Sequence, residues 1–140
     1  MKLIYEIINE AKQASSLNQA LDILQRYDHK TLREVLYYAY HPRAQYYVTE
    51  WPRDYVKPDT LPGISMTDLH TELRRIYLFI KGHPEADKLT EQRRNELLLQ
   101  TIEGMEPKEA EVFINIMKGD LGIEGLNHEL INERFQGLIT

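Results

Sequence analysis

LREVLYYAYHPRAQYYVTEWP, residues 32–52, is the stretch whose reading decides the fold class of this chain. It holds five of the nine tyrosines and the only tryptophan, and His41-Pro42 breaks it in the middle. Before the break, Leu32, Val35, Leu36, Ala39 and Tyr40 recur at the spacing of one helical face. After it, Ala44, Tyr47, Val48 and Trp51 repeat the same i, i+3, i+4, i+7 pattern. Pro42 suits the first position of a helix, where its missing N–H is no loss, and Pro52 stops the pattern. The stretch therefore reads as two short helices, with Tyr37, Tyr38 and Tyr46 off the packed faces. A buried tyrosine needs a partner for its hydroxyl, so some of these three belong at an edge or an interface.

The same periodicity extends in both directions. Ile4, Ile7, Ile8 and Ala11 stripe a first helix from Leu3 to about Gln13. Ser16 and Gln19 form a capping-box pattern ahead of Leu17, Ala20, Leu21 and Leu24, and Asp28 is the expected cap of the helix that carries Leu32. Residues 53–65, with two prolines and a glycine, read as one long loop. Ser65 or Thr67 then caps a helix with Leu69, Leu73, Ile76, Tyr77 and Ile80 inward, ended by Gly82. The HPEADKL segment reads as a connector. Thr90 caps a helix carrying Leu97, Leu98, Leu99 and Ile102, which stops at Gly104.

Pro107 opens a helix that Gly119 closes. Ala110, Phe113, Ile114 and Met117 form one stripe on it, and Val112 and Ile116 a second, the pattern of a central helix buried on two sides. Asn127 caps a last helix that runs through Phe135. The sum is an all-α chain, a single compact domain of about seven helices spanning residues 1–140, with no internal repeat and no clear strand pattern. A chain of 140 residues is long enough to bury such a core without staples.

Composition excludes more than it identifies. Zero cysteines exclude a disulfide framework and thiolate metal sites. The acids in MKLIYEIINEAKQ are unlike a signal peptide, and no apolar run approaches the ~18 residues of a membrane span, so a soluble intracellular protein is expected. HELIN at 128–132 has Asn132 where a zinc-protease helix needs its second histidine. The glycines at 119, 122 and 125 follow no strand and precede no Gly-Lys-Ser/Thr, so they make neither a P-loop nor a dinucleotide fingerprint. No nucleophile–base pair or paired carboxylates stand in a recognisable context. We expect no catalysis, cofactor, metal or small-molecule substrate.

Charge offers one lead. The net charge is −5, yet residues 26–75 carry eight cations against seven anions, while residues 76–140 carry seven against twelve. His41, Arg43, Arg53 and Lys57 bracket the aromatic segment, and basic side chains beside aromatics suit a phosphate backbone with stacking on bases or sugars. Tyr47 and Trp51 share the apolar stripe, so core packing is the expected role for both. A second anion-binding candidate is the turn from Lys118 and Gly119 through Gly125 to Asn127, where backbone N–H groups at a helix start can meet a phosphate. Asp120 and Glu124 oppose that role.

These motifs carry a resemblance. QYYVTEWP at 45–52, preceded by the ALDILQR and LREVLYYAY helices, is similar to the N-terminal DNA-binding domain of the ATP-dependent DNA ligases of T-even-type phages. AEVFINIMKGDL, a glycine turn and the QGLI exit resemble the close of that domain. RRIYLFIKGHP, KLTEQRRNELLLQ and MEPKEAEVFI look like a family of small tailed-phage, cyanophage-type proteins without an assigned function.

The resemblance implies a ligase-type helical fold, an accessory role on duplex DNA, and a location in the cytoplasm of the infected bacterium. It also implies that the Leu121–Asn127 turn lies near DNA phosphates. The ligase Lys-x-Asp-Gly motif has no counterpart, since Leu121 follows Lys118-Gly119-Asp120, and no adenylation domain follows, so ligase activity is not expected. Gly122 stands where the ligases often carry a basic residue, and Glu124 adds an acid.

The alternative expectation is a protein-binding module or virion component that kept the fold. Glu103, Glu106, Glu109, Glu111, Asp120 and Glu124 would then face a basic host or phage partner.

Overall fold

A computed structural model of the chain describes residues 2–57 and 65–139. Among these residues it is all-helical, one compact domain, with eight α-helices and one 3-10 helix. The α-helices are α1 (Ile4–Lys12), α2 (Leu17–Arg26), α3 (Lys30–Tyr40), α4 (Leu69–Glu72), α5 (Pro84–Asp87), α6 (Glu91–Glu103), α7 (Pro107–Lys118) and α8 (His128–Arg134). The 3-10 helix Leu73–Phe79 continues directly from α4.

The two-stripe reading of α7 holds. Both stripes are buried, and α7 touches α1, α3, α4 and α6. Phe113 on α7 meets Phe79 edge to face at 6.1 Å, and both rings are fully buried. Side chains of this size stabilise by roughly 1.5–3 kcal/mol each when withdrawn from water. The hairpin of α1 and α2 packs on one side, and α8 closes against α2 through Arg134, which reaches Asp22 and Gln25.

Several caps follow the sequence. Ser16 Oγ accepts from Gln19 N–H at 3.2 Å, Thr90 Oγ1 from Arg93 N–H at 3.0 Å, and Asn127 Oδ1 from Leu130 N–H at 3.0 Å. The Gln19 side chain accepts from Ser15 N–H rather than from that of Ser16. Two expected caps are corrected. Asp28 does not cap α3; it forms a two-pronged pair with Arg33 at 2.6 and 2.7 Å, and His29 is the N-cap residue. Neither Ser65 nor Thr67 caps α4. Asp68 does, accepting from Thr71 N–H at 2.8 Å, while Thr67 Oγ1 donates to Glu72. The segment read as a connector after Gly82 contains α5, opened by Pro84.

The larger correction falls on the second half of the opening stretch. Residues 42–52 form no helix. Residues 42–43 turn, with Ala44 N–H donating to His41 O at 3.0 Å, and residues 45–47 then pair with the end of the 3-10 helix through an isolated antiparallel bridge between Tyr46 and Ile80. Tyr47 N–H donates to Phe79 O at 2.9 Å, and Lys81 N–H donates to Gln45 O at 2.7 Å.

Extended backbone alternates its side chains, so the faces invert relative to the helical reading. Tyr46 is buried and donates its hydroxyl to Tyr38 O at 2.8 Å, whereas Tyr47 is exposed. Of the expected loop at 53–65, residues 53–57 and Ser65 are irregular, and residues 58–64 lie outside the described part. Tyr77, expected inward, is exposed. Glu109, assigned to an acidic surface, is buried, and Glu106 is engaged as the N-cap of α7.

Candidate nucleic-acid interface

The turn between α7 and α8 is built around three glycines and three apolar anchors. Gly119 ends α7 with φ +77, and Gly122 and Gly125 also have positive φ, a region that other residues enter only under strain. Leu121, Ile123 and Leu126 are buried and hold the loop against the domain. Asp120 Oδ1 accepts from Gly122 N–H at 2.8 Å, which spends part of its charge inside the turn.

Three other elements meet this turn. Leu121 N–H donates to the Tyr40 hydroxyl at 3.0 Å, which joins the turn to the C-terminal end of α3. Burial pushes the Tyr40 phenol up to about 12, so the hydroxyl stays protonated. A Cβ at Gly125 would sit 3.2 Å from Leu17 on α2. A Cβ at Gly122 would sit 2.7 Å from Lys12 Cε and 3.0 Å from Lys12 Nζ, so the last side chain of α1 lies across that glycine.

Of the eight residues proposed from sequence, four lie at the turn or its ends, and two more follow the tyrosine that the turn contacts. Lys118, Gly119, Gly125 and Asn127 belong to the turn or its rims, and His41 and Arg43 follow directly on Tyr40. His41 ends α3, its ring against Tyr37 at 5.1 Å, and its Nδ1 accepts from Arg43 N–H at 3.1 Å. Arg43 and Lys118 are exposed, as is Lys12.

Arg53 and Lys57 sit elsewhere. Trp51 packs on Tyr55 at 4.6 Å, and Val56 N–H donates to Glu103 Oε2 at 3.1 Å, which ties this segment to the C-terminal end of α6. Asn127 uses its amide oxygen to cap α8, so it serves the turn as a cap. Among the described residues, no ion pair involves Lys12, Arg43, Arg53, Lys57 or Lys118.

Two participants were missed at the sequence level, Lys12 and Tyr40. Lys12 reads as an ordinary last-turn cation of α1, and only tertiary contact places it over a glycine far along the chain. Tyr40 reads as core, and its hydroxyl gave no local signal. Lys12 puts a cation beside Gly122, the position where the resemblance marked a missing basic residue.

Tyr47 is placed differently from the core role expected of it, whereas Trp51 packs against the edge of the core. Tyr47 is exposed and Trp51 half-buried, and both line an open cleft of 480 Å³ against the start of α6. The Tyr47 ring lies 3.7 Å from the Arg94 guanidinium, and its hydroxyl donates to Asp87. Elsewhere, no three His, Asp or Glu side chains converge to hold a metal among the described residues. No helix among them is long and apolar enough to cross a membrane.

Residues 7–122 match the model of a family of unknown function, DUF6433, and the chain belongs to that family. Comparison with curated proteins gives no match.

Proposed function

We propose that this chain is a non-catalytic helical module that holds duplex DNA by its sugar-phosphate backbone, as an accessory protein in the cytoplasm of a phage-infected bacterium. The reading takes the fold to be of the phage-ligase DNA-binding type. One observation carries it. The hydrogen bond from Leu121 N–H to Tyr40 seats the glycine turn on the end of α3, with Lys12 lying across Gly122 in that turn, Lys118 at the last position of the helix before it and Arg43 three residues after Tyr40. Among the described residues, no ion pair involves any of these three cations. Cations gathered on one face attract phosphates even when the net charge is negative, because screening over about 8–10 Å hides distant acids. The N–H groups of residues 119–122 and 126 are spent on bonds within the protein, so phosphate contact at the turn rests on the cations and on the backbone of residues 123–125.

The test is binding of nicked and intact duplex at low salt. Binding to both, lost when Lys12, Arg43 and Lys118 are replaced by alanine together, supports the reading. Absence of binding at low salt refutes it.

A protein partner is favoured by a separate observation. Glu111, Asp120 and Glu124 in the acidic C-terminal half are exposed, as contact with a basic partner requires. A pull-down that retains one stoichiometric protein after nuclease treatment would support that second reading; a pull-down emptied by nuclease supports the first.

A further inference from the structure

The cleft beside Trp51 has a feature that the fold does not account for. Arg94, on the first turns of α6, is only 8% exposed, and among the described residues no carboxylate is in ion-pair contact with it, although the charge of Asp87, held by the Tyr47 hydroxyl, reaches it from a distance. Its Nη2 donates to Ala86 O at 3.0 Å and Leu89 O at 3.1 Å, and the Tyr47 ring covers the guanidinium. Among the described residues, Nε is buried without a partner, and Nη1 makes no hydrogen bond. A buried guanidinium with unspent donors is costly unless something satisfies them.

The walls around Arg94 are specific. Glu91 and Asn95, one helical turn apart, flank it on α6 and line the cleft, and Glu50 lines it from the segment that follows the Tyr46 bridge. Trp51 forms the aromatic wall, with Tyr55 packed against the indole. The cleft thus offers an indole to lie on, a guanidinium that donates, an amide that does both, and carboxylates that only accept. A phosphate-rich ligand would be repelled by Glu50 and Glu91. A neutral planar heterocycle with donors and acceptors along its edge would not.

We propose that this cleft receives a single unpaired nucleobase, with guanine the preferred one. Guanine stacks on Trp51, gives its N1–H and amino protons to the Glu91 or Glu50 carboxylate, and accepts from Arg94 at its carbonyl oxygen. Bases held outside a duplex are recognised in this way, by stacking plus hydrogen bonds to the pairing edge. The site is distinct from the glycine turn and does not depend on duplex binding there.

Trp51 is the only tryptophan, so its fluorescence reports on the cleft directly. The intact protein is titrated with guanosine, adenosine, cytidine and thymidine. Saturable quenching is expected, with guanosine bound about tenfold tighter than adenosine, as one two-bond base contact gives. Replacing Glu50 and Glu91 together by glutamine should erase the preference, and Asn95→Ala should weaken all binding; Glu50 and Glu91 are exposed and Asn95 half-buried, and thermal unfolding of each variant checks that the fold is kept. Tighter binding of a thymine oligonucleotide carrying one guanine than of guanosine monophosphate assigns the source as a base within a strand; the reverse assigns a free nucleotide. No saturable quenching by any nucleoside overturns the proposal, as does equal quenching by all four that persists in the Glu50→Gln, Glu91→Gln double variant. Duplex binding measured on the same variants stays at the parent level, so failure of the cleft is distinguishable from failure of the turn.

Discussion

The backbone N–H of Leu121 and the hydroxyl of Tyr40 are joined at 3.0 Å, although 81 positions separate them in the chain. That bond links the helix bearing the opening aromatic stretch to the turn with the glycine rhythm. It turns two weak sequence signals into one surface. Tyr40→Phe keeps the ring and removes only the acceptor, leaving the Leu121 N–H with no partner. We expect a loss of about 1–3 kcal/mol in denaturant unfolding. Faster hydrogen exchange at the Leu121 amide should accompany it, and unchanged exchange there would show that the bond does not hold the turn.

Gly122→Ala tests how the turn seats Lys12. The positive φ of +86 resists any side chain, at a cost of roughly 1–2 kcal/mol. The new methyl would also push the Lys12 side chain aside. Duplex affinity should therefore fall in Gly122→Ala but fall no further when Lys12→Ala is added. A double-mutant cycle reads that coupling.

Asp68, and not the serine or threonine before it, starts α4. Asp68→Ala should lower stability by about 1 kcal/mol, the usual cost of a lost N-cap, whereas Ser65→Ala should not affect the helix start. Equilibrium unfolding of the two variants decides the matter.

Glu109 should make the domain less stable as pH rises above the ordinary carboxylate range. Its carboxyl is held above the ordinary carboxylate range, first by burial and then by the charges of Asp68 and Glu106, against a hydrogen bond from Leu69 N–H. A carboxyl raised in the folded state contributes stability that is complete below the unfolded value near 4.5 and is lost as pH rises through the folded value. Glu109→Gln keeps an acceptor for Leu69 and removes the charge. The variant should be more stable than the parent at neutral pH, with the difference closing as pH falls toward 4.5. Asp28 and Asp68 run the opposite way. Both are lowered, Asp28 chiefly by its Arg33 hydrogen bonds and Asp68 chiefly by the Thr71 N–H, so their contribution disappears as pH falls through their folded values.

The helices that could be read from sequence were those whose signals are local. Two apolar stripes on one helix, as on α7, leave no other way to bury both faces, and Ser16, Thr90 and Asn127 cap through bonds that span three residues. Residues 42–52 failed because Ala44, Tyr47, Val48 and Trp51 fall at helical spacing by coincidence. Pairing with residues 79–81 decided the backbone instead, and that pairing is tertiary. The inversion of Tyr46 and Tyr47 follows from the same cause, since a change of period from 3.6 to 2 moves neighbours to opposite faces. For the candidate site, Lys118, Gly119 and Asn127 were legible because helix ends punctuate sequence. Lys12 was not, because its position over Gly122 exists only after α1 and the turn have packed together.

The central claim is that Lys12, Arg43 and Lys118 neutralise DNA phosphates together, and duplex affinity across a salt series tests it most directly. The account predicts a log–log slope of about −3, near −0.9 for each phosphate contacted, reduced by roughly one when Lys12 is replaced by alanine. A flat response to salt, or a slope unchanged by Lys12→Ala, Arg43→Ala and Lys118→Ala, would contradict it.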